Sequence, residues 1–89
     1  MADYHTVKDL TDDIRRVANN INGFPKDVKI LKAGLGVDDW GTYYLDVDYE
    51  VDGIQFNITR RAFNDLSGAV NEILGKIKEF YDKLHEVKA

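Results

Sequence analysis

The chain has 89 residues, 44% of them hydrophobic, and a formal net charge of −4. That length fits one domain, and the apolar content is typical of a folded chain and too high for a disordered one. The acidic balance disfavours a general nucleic-acid binder, which is normally basic. Because the sequence has no cysteine, it forms no disulfide, thiol nucleophile or cysteine-ligated zinc site.

The first predicted element is a helix from about residue 6 to 22, where apolar side chains repeat at the 3-4-3-4 spacing of one helical face. Thr6-Val7-Lys8-Asp9 has the pattern of a capping box, with Asp9 as a shorter substitute for glutamate. Asn22-Gly23 predicts a left-handed C-cap, and Pro25 prevents the helix from continuing. The apolar stripe consists of Val7, Leu10, Ile14, Val17 and Ile21.

Three strands follow, predicted at about residues 27–34, 42–51 and 54–60. In the first strand the apolar face changes phase at Ile30-Leu31, which predicts a bulge or an end at this point. Gly34 and Gly36 indicate an irregular exit from that strand into a loop. The second strand alternates apolar and polar side chains throughout, as a half-buried strand does.

The second and third predicted strands form a hairpin. Asp52-Gly53 is the signal of a type I′ turn, because both central positions of that turn need a positive φ. This turn sets the register of the hairpin. On the apolar face Val51 lies opposite Ile54, Tyr49 opposite Phe56 and Val47 opposite Ile58, and on the polar face Glu50 meets Gln55, Asp48 meets Asn57 and Asp46 meets Thr59.

A long helix is predicted over about residues 62–87, where apolar residues again repeat at 3-4 spacing. At 1.5 Å per residue this helix is roughly 35–40 Å long, more than the ~25 Å that the strands offer. Its last turns must therefore meet the first helix or a second copy of the chain. We accordingly predict a homodimer contact at Phe80, Tyr81, Leu84 and Val87.

This order of elements predicts a single α+β domain over residues 1–89. The expected architecture is α-β-β-β-α, in which a three-stranded antiparallel meander carries both helices on its apolar face. The long C-terminal helix is the spine of the domain. The other face of the sheet is polar and faces water.

The polar face carries a row of carboxylates at alternate positions of one strand, ~6.6 Å apart. Such a row can engage lysine and arginine side chains of a partner or imitate nucleic-acid phosphates, although a solvated sheet face has the same composition. A loop tryptophan and a tyrosine beside an arginine add the residue types of binding hot spots. The predicted partner-binding residues are Asp46, Asp48, Glu50, Trp40, Tyr44 and Arg61.

No motif in the sequence predicts catalysis, a cofactor or a bound metal. His5 and His85 are isolated, and Ser67 lies in a predicted helix without a neighbouring base. Alternate carboxylates on one strand point in parallel and do not converge on a cation as calcium or magnesium ligands must.

The sequence thus favours a small, acidic, non-enzymatic module that binds a protein partner with a basic surface. An inhibitor or nucleic-acid mimic of the kind found in phages and mobile elements is one form of this hypothesis. One alternative is a nucleic-acid binder with a local basic patch made of Arg15, Arg16, Lys29, Lys32, Arg60 and Arg61. A small-ligand protein or enzyme is a further alternative. No apolar run approaches the ~20 residues of a membrane span, and we expect a cytoplasmic protein.

Overall fold

The computed structural model describes residues 5–62 and 65–86. Its elements in chain order are β1 (His5–Asp9), α1 (Thr11–Asn20), β2 (Lys29–Val37), β3 (Tyr43–Val51), β4 (Ile54–Arg61) and α2 (Leu66–Glu86). The strands form one antiparallel sheet in the order β1-β2-β3-β4. The predicted α+β class is confirmed, but the prediction of three strands is wrong.

The additional strand, β1, occupies residues that were predicted to begin the first helix. Thr6 pairs with Gly36 and Asp9 with Gly34, so the capping-box prediction is wrong. The helix begins instead at Thr11, whose backbone N–H and hydroxyl both donate to the Asp9 carboxylate, at 2.9 and 2.6 Å. Val7 fits the helical period but lies at the irregular position of β1 and is exposed, so its spacing does not mark a buried face.

β2 continues to Val37, beyond the exit that was predicted near residue 34. Gly34 lets β1 lie close to β2. A Cβ atom at Gly34 would lie 3.2 Å from Cγ2 of Thr6 and 3.3 Å from the carbonyl oxygen of Lys8. Both contacts are tighter than ordinary van der Waals distances, so the lack of a side chain lets the two strands pair.

The predicted irregularity at Ile30-Leu31 is confirmed as a shift in the register between β2 and β3. A bulge leaves backbone groups without a partner in the ladder. At this point the backbone accepts hydrogen bonds from Arg15 of α1, whose Nε donates to the carbonyl oxygen of Ile30 at 2.9 Å and whose Nη2 donates to that of Leu31 at 3.4 Å. This side chain therefore ties α1 to the bulge.

The β3–β4 hairpin has the predicted register at all six pairs, from Val51 opposite Ile54 to Asp46 opposite Thr59. Asp52 and Gly53 have φ values of 55° and 82°, as a type I′ turn requires. The strong local signal of the turn was sufficient to align both strands.

Both helices cover the same face of the sheet. α2 begins at Leu66, later than predicted, because the Asp65 carboxylate accepts the backbone N–H of Gly68 at 2.9 Å and caps the first turn. α1 ends at Asn20, and the φ of +80° at Gly23 lies in the connection that follows. The largest fully buried side chains among the described residues are Ile14, Leu45, Val47, Val51, Ile73, Leu74 and Ile77.

Candidate partner-binding surface

The turn between β2 and β3 presents Trp40 to solvent with 86% of its surface exposed. This turn is held by Asp38, whose Oδ1 accepts the backbone N–H groups of Trp40 and Thr42, both at 2.9 Å. The Asp38 backbone N–H also donates to the carbonyl oxygen of Thr42 at 3.0 Å, and Gly41 takes a positive φ of 79°. The tryptophan is thus carried by a built turn and does not fold back on the core.

The same carboxylate connects the turn to the polar face of the sheet. Asp38 Oδ2 accepts the hydroxyl of Tyr44 at 3.2 Å, and Tyr44 lies opposite Arg61, as predicted. The hydrogen bond from the Thr42 backbone is the largest cause of a lowered pKa at Asp38, and it outweighs partial desolvation. Asp38 is therefore ionised near neutral pH and accepts all of these hydrogen bonds.

The acidic row on β3 is held by side chains of β4. The Asn57 amide nitrogen donates to one oxygen of Asp46 and one of Asp48, each at 2.7 Å, and the Thr59 hydroxyl donates to Asp46 at 2.8 Å. Because both neighbours of the amide are acceptors, only its nitrogen fits between them. These carboxylates therefore belong to an ordered network on the polar face.

On the other side of the acidic row, β2 carries lysine side chains, which the sequence analysis did not predict at this place. β2 places Lys29 opposite Glu50 and Lys32 opposite Asp48. The sequence analysis assigned both lysines to a basic patch. The pairing of Lys32 with β3 depends on the bulge in β2, and local spacing does not locate that bulge to a single residue. The polar face consequently carries cations directly beside its carboxylates.

The edge of this face adds one more carboxylate, Asp9, opposite Gly34. Hydrogen bonds from the hydroxyl and backbone of Thr11 are the main causes of a lowered pKa at Asp9, and Lys32 contributes to it electrostatically. The face is thus a mixed field in which acidic and basic groups alternate from strand to strand.

Two of the residues predicted for dimerisation pack within the chain. Phe80 contacts Phe56 edge to face, with ring centroids 4.8 Å apart, and also lies against Tyr49. The Tyr81 hydroxyl donates to Asp27 at 3.0 Å, which raises the pKa of Tyr81. Leu84 is 40% exposed, and Val87 lies outside the described residues. The homodimer contact at this end of α2 stays a prediction.

The predicted basic patch is divided among three elements, and its α1 members have acidic neighbours. Arg15 approaches Asp12 at 3.6 Å and Arg16 approaches Asp13 at 3.0 Å. In β4, Arg60 forms an ion pair with Glu72 of α2. These pairs reduce the positive field that phosphate binding requires.

An open groove of ≈ 400 Å³ separates the first turns of α1 and α2. Its rim carries Lys8, Asp13 and Ser67, and no hydrogen bond joins these three side chains. Its remaining lining is mostly apolar and comprises Leu10, Ile14, Val17, Leu66, Val70 and Asn71.

Among residues 5–62 and 65–86, no group of three or more histidine, aspartate and glutamate side chains has an arrangement suited to a metal ion. No helix in the same ranges is both long and apolar enough to cross a membrane. No protein-family model, curated protein or solved structure matches the chain. The surfaces described above are therefore the basis for inferring a function.

Proposed function

We propose that this chain is a non-enzymatic binding module whose partner is a protein. Trp40 enters an apolar pocket of that partner, and the adjoining polar face of the sheet pairs with charged side chains around the pocket. The observation that supports this proposal is the exposure of Trp40 on a turn that Asp38 already holds in place.

The free energy of binding comes largely from the burial of Trp40. A large aromatic side chain normally buries 150–250 Å² in a core, and this chain leaves nearly all of its tryptophan in water. Transfer of that surface into a pocket contributes about 4 kcal/mol at 25 cal/mol per Å², before the costs of association. Because the turn is ordered beforehand, little conformational entropy is lost there when the complex forms.

The polar face supplies specificity. Asp46, Asp48 and Glu50 are suited to arginine or lysine side chains of the partner, whereas Lys29 and Lys32 are suited to its carboxylates. A nucleic-acid mimic would use the carboxylates alone, and the two lysines beside them weaken that narrower form of the proposal. A partner surface with both signs of charge fits the face better than a uniformly basic one.

The test is affinity purification from the native host with wild type, Trp40→Ala and Val7→Ala as baits. Val7 is a matched control, because it is also an exposed apolar residue but lies on β1. We expect one protein to be retained by wild type and Val7→Ala and to be lost with Trp40→Ala, while circular dichroism shows all three baits folded. Equal recovery of every protein by Trp40→Ala and wild type would contradict the proposal.

The contribution of the polar face is tested separately on the captured protein. Asp46→Asn plus Asp48→Asn removes two charges at nearly constant shape, and we expect weaker binding with a smaller dependence on salt. An unchanged affinity would remove the sheet face from the contact surface and leave the Trp40 turn alone. If competing DNA or RNA displaces the chain from its partner, the mimic form is favoured.

A further inference from the structure

The two edges of the sheet differ in their protection against strand pairing. β1 has five residues, an irregular register after Thr6 and a lysine at position 8, all devices that discourage pairing with another chain. β4 has eight residues and a regular register throughout, and its only charged residues are Arg60 and Arg61 at its end. In the described part of the chain no element pairs with the outer side of β4.

The backbone groups on the outer side of β4 are identified by the hairpin register. Ala62 donates its N–H to the carbonyl oxygen of Tyr43 at 2.9 Å, which places the even-numbered residues of this strand in the hydrogen-bonded pairs with β3. The N–H and C=O groups of Gln55, Asn57 and Thr59 therefore point away from β3. They form a template for one more antiparallel strand.

We propose that β4 pairs with β4 of a second copy of this chain, antiparallel about a two-fold axis at Asn57. Gln55 then lies opposite Thr59 of the second copy, and two neutral polar side chains meet on the polar face. On the core face Phe56 lies opposite Ile58 of the second copy. The interface is thus self-complementary, as a two-fold dimer contact requires, and it joins the two sheets into one.

The charges at the two ends of β4 favour a second copy of this chain as the partner and the antiparallel orientation. The turn before β4 carries Asp52, whereas its last residues are Arg60 and Arg61. An antiparallel copy brings the acidic turn of each chain to the basic end of the other, while a parallel copy would place like charges together. The antiparallel pairing therefore places Asp52 of each chain near the two arginines of the other, of which Arg60 is also paired with Glu72 of its own chain.

Burial supports the same contact. Ile54 is 60% exposed, and Phe56 and Ile58 are only half-buried by α2. In the proposed register Ile54 lies beside the aliphatic stem of Arg60 of the second copy. The newly covered surface is continuous with the existing core, because Phe56 already packs against Phe80.

The first test is sedimentation velocity of wild type, Gln55→Pro and Gln55→Ala. Proline at position 55 removes an outward N–H and leaves the hydrogen bonds between β3 and β4 intact, whereas alanine keeps the N–H. We expect a wild-type dimer, a similar dimer for Gln55→Ala, and dissociation at least about tenfold stronger for Gln55→Pro. A wild-type monomer at concentrations up to about 1 mM, or an undiminished Gln55→Pro dimer, would overturn the proposal.

The second test examines the register and does not depend on proline. Ile54→Lys and Ile54→Glu are equally polar changes at an exposed position. Each is made together with Glu72→Gln, which removes the ion-pair partner of Arg60, so that in the proposed register they face Arg60 of the second copy with opposite charges. We expect Ile54→Lys to dissociate several-fold more than Ile54→Glu at low salt, and the difference to shrink at high salt. Equal dissociation of the two variants, or the reverse order, would overturn the register.

Discussion

Asn57 offers a direct measure of how strongly the polar face is organised, through the substitution Asn57→Asp. The change is nearly isosteric but replaces an amide that donates to Asp46 and Asp48, each at 2.7 Å, with a third carboxylate between them. Two hydrogen bonds are lost, and two repulsions between like charges are gained.

The magnitude follows from these distances. Two unit charges about 4 Å apart repel by about 1 kcal/mol in water, so the two new pairs together cost about 2 kcal/mol. The lost hydrogen bonds, which are exposed to solvent, cost about 1 kcal/mol more. We therefore expect Asn57→Asp to lower the free energy of unfolding by about 3 kcal/mol, and Asn57→Ala, which removes only the hydrogen bonds, by about 1 kcal/mol.

Urea unfolding followed by far-ultraviolet circular dichroism measures both variants at pH 7, at chain concentrations low enough that the dimer proposed through Asn57 does not form. In about 1 M salt the Debye length falls to ~3 Å, so the difference between the aspartate and alanine variants should fall to less than half. Equal stability of the two variants at low salt would refute the reasoning, because it would mean that Asp46 and Asp48 move apart freely. A difference that does not respond to salt would refute its electrostatic origin.

Three further predictions concern the elements that position this face. Gly34→Ala should lower the free energy of unfolding by about 1 kcal/mol in thermal denaturation, because the new methyl group meets β1; no loss of stability would contradict the close approach of the strands. Arg15→Met should cost about 1–2 kcal/mol in urea unfolding, since it removes a partly buried hydrogen bond to the carbonyl oxygen of Ile30 and a longer one to that of Leu31, whereas the exposed control Arg16→Met should cost less than half of this. Because the pKa of Asp38 is lowered in the folded state, its contribution to stability is fully present above the usual aspartate pKa of about 3.9 and is lost as the pH falls through the lower folded-state pKa. The backbone amide shifts of Trp40 and Thr42 should follow that titration in NMR spectra, and a midpoint at or above the usual value would contradict it.

The parts of the fold that the sequence predicts are those with strong local signals. The hairpin register follows from Asp52-Gly53, because a two-residue turn permits only one alignment of the strands it joins. The existence of both helices follows from their apolar period. Both starts were predicted too early. Residues before Thr11 pair with β2 as a strand, and the first turn of α2 is capped by Asp65, which lies later in the chain than the predicted start.

β1 had no comparable signal. It is short and carries only one aliphatic side chain, Val7, at a bulge, and that residue extends the helical period of α1 by chance. β1 forms because the edge of β2 is available for pairing and because Gly34 has no side chain to obstruct the approach of the two strands. Such a strand is specified by tertiary pairing, which periodicity within a short window does not report.

The candidate site shows the same division between local and non-local information. Trp40 and the carboxylates of β3 were identified from residue type and alternation, both of which are local. The position of Lys32 opposite Asp48 instead depends on the bulge at Leu31, because a strand without it would shift that lysine by one residue and turn it to the other face. A single irregular residue in β2 therefore decides whether Lys32 joins Lys29 on the polar face or turns to the core face. The two lysines beside the acidic row are the reason for proposing a partner surface with both signs of charge.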